Sequence, residues 1–567
     1  MKRFSVVLLL GICVFADAVG ATDPPKRRSV RTPSAGTSID QRIDEKLAAN
    51  NIVPAAIAGD EEFLRRVTVD LTGAIPTPAE VDAFVADKST DKRAKKIDAL
   101  LASDAFTDRW TMWFGDLVQN VQNATNSREY YIGRNVYYEW IRSSIAANKP
   151  YDAMVREVLA GEGNSFSVGV SNYIVRQIQR NGPPQDTFDN LAAHSAEKFL
   201  GIPLLCLSCH DGKSHLELVN WYLRGKSRED FWKMAAFFSR TATRGVRYTD
   251  PNNPNANILS FDVVANPFGT YRLNTTDGNK SPRTPTTNGD AVSPAFLLTG
   301  EVPKPGEPYR AAYGRMLTAD RQFARATVNY LWKEMFGTAF VEPLNAFDLT
   351  KLDTQPTHPQ LLEDLTTDFI AMKYDLRAML RMIAMSNAYQ RSSQYNGTHP
   401  DVTYFARRNP RRLSAEALLD AVGSSTAVPF RFQVQGIGNV AKAMQLPDPT
   451  EGRRQGGGVF MNNFGRGNRD DVMRTNDGSI SQALSMMNDP VVTQRVRRIN
   501  NSTVQQLLAT TTDPGTIVDK LYLATLSRRP TASERTQAID YLRAGTLADR
   551  TEDLQFALIN SLEFLFV

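Results

Sequence analysis

The sequence predicts a mainly α-helical protein: two helical parts joined by an irregular segment rich in Pro, Gly and Asn, with little β structure. Three observations support this fold class. Apolar residues recur at three- and four-residue spacing through most of the chain, as on the buried face of a helix. Capping-box patterns mark several helix starts. Between Thr241 and Glu301 both signals give way to a high density of Asn, Pro, Gly and Thr, which favours loops.

The first residues predict an export signal. A basic start, an apolar run from Phe4 to Ala16 and small residues from Ala18 to Ala21 follow one another, an order typical of a secretory signal peptide. The apolar run is too short to cross a bilayer, which needs about 20 residues. We therefore predict a signal peptide over 1–20, a disordered leader over 21–38, and a periplasmic or extracellular, envelope-associated location.

The first helical part is expected over residues 39–245. Ile39, Ile43 and Leu47 recur on one helical face, and Thr77 with Glu80 forms a capping box that opens the next clear helix. Ser227 and Asp230 repeat the capping pattern later in this part. Further helices are predicted over 104–119, 134–145, 151–159, 188–200, 216–223 and 228–240.

The remaining chain divides into a linker and a second helical part. Residues 246–300 predict an irregular linker with a few short strands around Phe268 to Leu273. The second part, 301–567, ends in a capping box of Thr531 and Glu534 that echoes Thr77 and Glu80, which favours reuse of one helical hairpin. Its helices are predicted over 319–336, 358–372, 376–386 and 415–422, and again from Ile480 to the end.

Composition excludes two broad classes of function. The formal charge of +5 is nearly neutral for 567 residues and no long block of like charge occurs, so nothing indicates nucleic-acid binding. No other stretch approaches 18 apolar residues, so no membrane span is expected in the mature chain. Of the three cysteines, Cys13 leaves with the signal peptide, and only Cys206 and Cys209 remain.

These two cysteines belong to the strongest motif in the chain. Cys206-Leu207-Ser208-Cys209-His210 has the C-x-x-C-H pattern of c-type haem attachment. Its spacing lets two thiols add to the two vinyl groups of one porphyrin while the histidine ligates the iron. We therefore predict one covalent haem c at Cys206, Cys209 and His210, with His210 as the metal ligand. The apolar helix Phe231 to Phe238 is expected to form a wall for it.

Alternatives to haem attachment and to its details remain open. In one competing interpretation, the two cysteines form a short structural disulfide. In another, they form a thiol–disulfide redox centre. The second version is disfavoured because the predicted helix precedes the cysteines. The distal haem ligand is His194, His215 or Met234, or is absent, whereas His358 is expected to be structural.

A second constellation lies in the Arg- and Gly-rich stretch Glu451 to Asp477. Exposed backbone N–H groups and guanidinium donors can hold an anion, but a solvated loop or partner surface is the favoured interpretation. Its members are Arg453, Arg454, Gly456, Gly457, Gly458, Arg466, Gly467, Arg469 and Arg474. No catalytic constellation occurs anywhere in the sequence, so an enzymatic activity is left undecided.

Motifs in both parts resemble a known pair of domains. They are Phe63 to Gly73, Pro76 to Glu80 and Leu200 to Pro203 before Cys206, then Asn329 to Trp332, Phe336-Gly337, Pro356 to Leu362, Arg411 to Glu416 and Leu526 to Thr531. The chain is similar to the paired domains of unknown function of planctomycete-type cytochrome-associated proteins. The resemblance implies a secreted or surface-associated cytochrome-like protein with no established reaction. Many members carry a second histidine two residues after the motif, where this chain has Gly212.

Two functional hypotheses follow. The first is an exported c-type haem protein, a redox carrier for electron transfer or a haem-based envelope protein. The alternative is a non-redox binding or scaffolding protein of the envelope, with a disulfide between Cys206 and Cys209. Because the chain is far larger than haem carriage requires, an envelope protein or a polysaccharide is the expected partner.

Overall fold

The computed structural model describes residues 38–122, 130–278, 280–452, 456–470, 472–499 and 501–567. The predicted signal peptide and the leader up to residue 37 lie outside the described residues, as do Arg453 and Arg454. About 52% of the chain is helical and about 8% is strand, which confirms the mainly α prediction.

The helices of the first predicted part begin close to where the apolar periodicity places them. They are α1 (Ser38–Ala49), α2 (Asp60–Thr72), α3 (Pro78–Ala86), α4 (Lys92–Leu101), α5 (Asp104–Leu117), α6 (Tyr131–Ala146), α7 (Tyr151–Ala160), α8 (Ser171–Arg176), α9 (Pro184–Ser195), α10 (Trp221–Arg224) and α11 (Arg228–Ala236). A π-helical turn (Ala196–Leu200) extends α9, and a 3-10 helix (Leu204–Ser208) follows it.

The second predicted part is also helical. Its helices are α12 (Tyr309–Ala319), α13 (Arg321–Phe336), α14 (Pro359–Ala371), α15 (Leu376–Met385), α16 (Asn387–Gln390), α17 (Ala415–Thr426), α18 (Gly456–Asn463), α19 (Ile480–Asn488), α20 (Pro490–Thr493), α21 (Thr503–Thr510), α22 (Pro514–Leu526), α23 (Ala532–Arg543), α24 (Leu547–Ile559) and α25 (Leu562–Leu565). Two further 3-10 turns are Val402–Tyr404 and Ala443–Gln445.

The predicted capping boxes are all formed. At the start of α3, the Glu80 backbone N–H donates to the Thr77 hydroxyl over 3.3 Å, and the Thr77 N–H donates to the Glu80 carboxylate over 2.9 Å. The same reciprocal bonds open α11 and α23. Each box satisfies two backbone donors that a helix start otherwise leaves unpaired. These helix starts therefore depend on residues within four positions of one another.

One predicted helix differs from the structure. The helix expected over 216–223 is mostly loop, and only α10 is helical, because Asn220 caps it and turns the chain there. The helix expected over 319–336 is present as α13, which starts where the Asp320 side chain accepts from the Gln322 N–H. The helix α12 before it was not predicted.

The segment after α11 contains more β structure than its composition suggests. It forms β2 (Thr241–Asp250), β3 (Asn253–Ala265), β4 (Tyr271–Arg272) and β5 (Ala291–Val292). Elsewhere in the chain, β1 (Gly163–Asn164) comes earlier, and β6 (Phe432–Val434) and β7 (Gly438–Val440) come later. Strands β2 and β3 form a long antiparallel hairpin with Thr241 opposite Ala265, and β1 adds to the edge of β3. The expected boundary between residues 245 and 246 therefore falls inside β2.

Both predicted parts contribute to one hydrophobic core. Trp110 and Tyr151 from the first part and Phe323 and Trp332 from the second belong to the same buried cluster. The rings of Tyr151 and Phe323 stack with their centroids 5.4 Å apart. A second cluster lies around α17, α22 and α24. Since burying a large apolar side chain stabilises a fold by about 1.5–3 kcal/mol, the shared core binds the two parts strongly.

The two echoed hairpins pack against each other. Arg65 on α2 donates to the Thr525 carbonyl over 3.2 Å and to the Ser527 hydroxyl over 3.1 Å. The Arg529 N–H donates to the Glu61 carboxylate over 3.0 Å. A cleft of about 1540 Å³ lies beside this contact.

Within the described ranges, no helix is long and apolar enough to span a membrane.

Candidate haem-attachment site

The chain reaches the C-x-x-C-H motif through two irregular turns at the end of α9. The π-helical turn ends at Gly201, which adopts φ +66°. A Cβ there would lie 2.7 Å from the Phe347 ring and 3.0 Å from the Leu344 carbonyl oxygen, so the position favours glycine. The Gly201 carbonyl accepts from the Phe347 N–H over 3.0 Å. The path into the motif is therefore set against the second half of the chain.

The two thiols lie on and just after the 3-10 helix. Cys206 is half-buried against the core and Cys209 is exposed, and both are free. A hydrogen bond with the Ser208 hydroxyl lowers the pKa of the Cys209 thiol below its ordinary value, and Ser281 and Lys280 act in the same direction. Since the thiolate is the nucleophile, Cys209 is chemically the more activated thiol. The activation comes from side chains and a loop rather than from a helix N-terminus.

His210 is held in the tautomer that a metal ligand requires. Its Nδ1 lies 2.8 Å from the Asp211 carbonyl oxygen. Because a carbonyl only accepts hydrogen bonds, Nδ1 carries the proton of the neutral ring and Nε2 keeps its lone pair. The half-buried ring is therefore oriented by its own backbone and presents Nε2 as the ligating atom.

The candidate distal ligands have different environments. The His215 ring lies beside His210, with the ring centroids 4.3 Å apart. His194 is buried on α9 with Nδ1 3.1 Å from the Tyr173 hydroxyl, and burial lowers its pKa well below the ordinary range. The buried Met234 sulfur accepts from the Leu297 N–H over 3.2 Å. The structure thus brings His215 to the motif and engages His194 and Met234 in the core.

Gly212 leaves no room for the second histidine of the resembling domains. An added Cβ would lie 1.9 Å from the Leu223 carbonyl oxygen. The Gly212 N–H donates to the Lys226 carbonyl over 2.8 Å, which holds the loop against this segment. Any side chain at this position therefore requires the backbone to move.

Arg228 is a positioning residue that the sequence analysis missed. Its guanidinium donates to the carbonyl oxygens of Ser208 at 3.1 Å and Ser281 at 3.2 Å. Its backbone N–H donates to the Asp211 carboxylate over 2.8 Å. Arg228 thus contacts the motif between the two cysteines and directly after His210. The capping Ser227 was the only local sign that this residue begins a helix at the site.

The helix Phe231 to Phe238, predicted to form an apolar wall for the haem, is not exposed toward the motif. Phe231, Trp232, Phe237 and Phe238 are at most 5% exposed and already pack in the core. Helix α11 therefore supports the motif from behind and offers no open apolar face. The exposed apolar side chains near the motif are instead Leu205, Leu218, Val219 and Trp221.

The donor set fits one covalently attached haem. Two free thiols, one half-buried and one exposed, lie three residues apart, and the next residue presents an imidazole nitrogen as a possible ligand. Among the described residues, no group of three or more His, Cys, Asp or Glu comes together.

The Arg- and Gly-rich stretch is largely an internal brace. Arg469 donates to the Asp116 carboxylate over 2.5 Å and to the Asn120 and Pro447 carbonyl oxygens. Arg474 pairs with Asp116 at 3.0 Å and with Glu416 at 2.6 Å. These two guanidinium groups are therefore engaged by the protein itself rather than offered to an anion.

Two family models match the chain in succession. Residues 38–243 match PSCyt2, described as a protein of unknown function (DUF1549), and residues 310–542 match PSD1, described likewise (DUF1553). The first match contains the whole C-x-x-C-H site. No curated protein and no solved structure matches the chain.

Proposed function

Since the chain belongs with the planctomycete-type cytochrome-associated proteins that carry PSCyt2 and PSD1 in this order, we propose that it is an exported c-type haem protein. One haem is attached at Cys206 and Cys209, with His210 on the iron. The protein is a redox carrier or a haem-based protein of the cell envelope.

One observation carries this proposal: the two free thiols are followed by an imidazole whose Nε2 keeps its lone pair. In attachment, each thiol sulfur forms a bond to one vinyl carbon and its proton goes to the other vinyl carbon. The lowered pKa of Cys209 favours the sulfur nucleophile. When bound, the haem iron gains and releases single electrons. Arg228 keeps the motif turn in place on both sides of His210.

A second candidate function rests on the cleft between the echoed hairpins. Its volume of about 1540 Å³ exceeds the roughly 300–1,000 Å³ of ordinary small-molecule pockets. Its lining includes apolar residues such as Ile57 and Leu562 and charged residues such as Glu62 and Arg529. This lining suits an extended polymer or a protein segment. A non-redox envelope binding protein with a Cys206–Cys209 disulfide is therefore the alternative.

The deciding experiment is expression in a host with c-type maturation machinery. We expect one covalent haem per chain by denaturing peroxidase stain and reduced pyridine spectrum, and its loss in the Cys206→Ala/Cys209→Ala variant. His210→Ala should impair attachment or alter the spectrum, while His399→Ala, a change at another exposed histidine, should leave both unchanged. A mass that shows only a two-proton loss between the cysteines would establish the disulfide alternative instead.

Export is part of the same proposal. The basic start and short apolar run support cleavage after about residue 20 and a periplasmic or extracellular location. N-terminal sequencing of the exported protein should begin near Ala21 or Thr22. A protein that retains Met1 would contradict export by this signal.

A further inference from the structure

Four apolar side chains near the motif are left in solvent. Leu218 is fully exposed, Val219 is 66% exposed, and Leu205 and Trp221 are 46% and 44% exposed. They lie within 17 residues of chain that also contain Cys206, Cys209 and His210. A single exposed leucine needs no explanation, but a cluster of this kind marks a contact surface.

Three of them lie on the loop of residues 212–221, which is pinned at its base, and Leu205 lies on the preceding 3-10 helix. Leu216 is buried, and the buried Asn220 side chain donates to the Phe347 carbonyl over 2.9 Å. The Trp221 N–H donates to the Asp348 carboxylate over 2.8 Å. These anchors come from the second half of the chain. The exposure of Leu218 and Val219 at the loop apex is therefore a fixed feature of the fold.

Basic side chains lie beside the two aromatic residues at the end of the loop. The Arg224 guanidinium lies 4.8 Å and the Lys351 ammonium 5.9 Å from the Trp221 ring centroid. Lys226 lies 5.0 Å from the Tyr222 ring, and Lys213 is exposed within the loop.

The neighbouring carboxylates are engaged by the protein itself. Glu217 accepts from the Ser214 N–H over 2.6 Å, and Asp211 accepts from Arg228 over 2.8 Å. Arg224 pairs with Glu217 at 3.4 Å and Lys351 with Asp348 at 3.7 Å. Among the described residues of this segment, Lys213 and Lys226 are therefore the cations most available to an outside partner.

This combination suits a lipid surface better than a protein partner. Only four exposed apolar side chains are available here, whereas a stable protein interface needs about 800 Å² on each partner. Peripheral membrane contact requires only a few inserted apolar side chains, with Trp at the interface and Lys or Arg facing anionic headgroups. Each such cation contributes attraction to an anionic leaflet.

We propose that the 212–221 loop docks the protein on an anionic membrane surface, with Leu218 and Val219 inserted and Lys213 and Lys226 on the headgroups. The His210 and His215 rings lie side by side, so docking brings the attachment motif close to the lipid. The inference stands without haem. Together with the proposed function, it places the redox centre next to carriers dissolved in the membrane.

The test is binding of the purified mature chain to vesicles of phosphatidylcholine with and without phosphatidylglycerol. We expect binding to the anionic vesicles that weakens with salt, with a blue shift of Trp emission. Leu218→Ser/Val219→Ser and Lys213→Glu/Lys226→Glu should each reduce binding at least tenfold. Ile480→Ser and Lys520→Glu, at exposed positions outside the loop, should stay within about twofold of the parent chain.

Four results would overturn the proposal. In the first, the parent chain does not bind either vesicle, and in the second, the loop variants bind as well as their controls. A haem-free Cys206→Ala/Cys209→Ala chain binds while the haem-loaded chain does not, which would mean that the porphyrin covers the loop. Binding to soluble poly-glutamate but not to vesicles, lost in both loop variants, would make the loop a protein-docking surface. Circular dichroism of each variant separates all of these results from misfolding.

Discussion

The five histidines divide by environment at the scale of single residues. His194 and His358 are buried, whereas His210, His215 and His399 are half-buried or exposed. Only the second group is reachable by a prosthetic group from solvent. His358 packs against Phe405, with ring centroids 5.2 Å apart. Its structural role, expected from its place at a helix start, agrees with this packing.

The buried histidines make stability depend on pH. Burial lowers the pKa of His358 to about 3, and Lys46 acts in the same direction. Below pH 6.5 the unfolded chain binds a proton at His358 that the folded chain refuses until about pH 3. Stability contributed by neutral His358 is therefore lost as pH falls through this window. Within this window, each pH unit of acidification should cost the parent chain about 1.4 kcal/mol of unfolding free energy through His358. We expect the His358→Phe chain to lose stability less steeply by that amount, because it lacks the ionisable group.

Chemical denaturation between pH 7 and pH 4 measures this slope. Asp420 has the opposite effect, because burial raises its pKa to about 7 and the folded chain then retains a proton above pH 3.8. That contribution is common to both proteins and cancels in the difference. His399→Phe, at an exposed site, should keep the parent slope. Equal slopes for the His358→Phe and parent proteins would show that His358 is not held neutral.

At the scale of elements, the motif is positioned by turns rather than by a long helix. The π-helical turn, the 3-10 helix and the 212–221 loop succeed one another between α9 and α11. Each is fixed by contacts beyond itself, with the 344–348 segment on one side and Arg228 on the other. Short irregular elements have few internal hydrogen bonds, so these external contacts determine where Cys206 and His210 lie.

The closest of these contacts gives an element-scale prediction. Gly212→Ala places a Cβ 1.9 Å from the Leu223 carbonyl oxygen. We expect a loss of about 2–3 kcal/mol in the free energy of unfolding, because backbone cannot yield as a flexible side chain does. Gly478→Ala is the matched control, since its Cβ meets nothing within 4 Å. It should change stability by less than about 1 kcal/mol.

Urea denaturation of the two variants and the parent chain provides the measurement. If the Gly212→Ala chain is as stable as the Gly478→Ala chain, the loop can shift away from α10 at no cost in stability. The loop would then lack the fixed geometry on which the positions of Leu218 and Val219 depend.

At the scale of the whole molecule, buried charges link the two predicted parts. Asp70 on α2 accepts from the Tyr389 hydroxyl over 2.7 Å and from Arg408 over 3.1 Å, and it contacts Arg411 as well. Burial alone would raise the pKa of Asp70, but Arg408 and Arg411 hold it below its usual range. The first part thus contributes the carboxylate, and the second part contributes the cations.

Neutralising this carboxylate tests the link. Asp70→Asn leaves Arg408 and Arg411 buried without their counter-ion, so we expect a loss of about 3–5 kcal/mol. Asp98→Asn breaks the pair with Arg381, which also joins the two parts but is about half exposed. That control should lose less than about 1 kcal/mol.

Calorimetry of both variants should show a single unfolding transition, because the parts share one hydrophobic core. Two separate transitions in the Asp98→Asn or parent protein would show that the parts fold independently. A similar loss in both variants would mean that the Asp70 cluster contributes no more than a surface pair.

The helical fold class, the capped helix starts and the motif with its three candidate residues could all be predicted from sequence. These features depend on residues a few positions apart: Thr77 with Glu80, Thr531 with Glu534, or Cys206 with Cys209. A side chain that satisfies its own helix start does so in any tertiary context. The two cytochrome-associated domains could likewise be identified from short motifs in order.

Tertiary structure alone decided what each of those residues faces. The β2–β3 hairpin was missed because each strand is stabilised by its partner rather than by its own composition. Arg469 and Arg474 were predicted to lie in a solvated loop. In the structure both pair with Asp116, which is more than 350 positions away in the sequence. The helix Phe231 to Phe238 looked like an open wall, but the core had already buried it. Burial and ion pairing over such distances depend on chain packing, which no local pattern encodes.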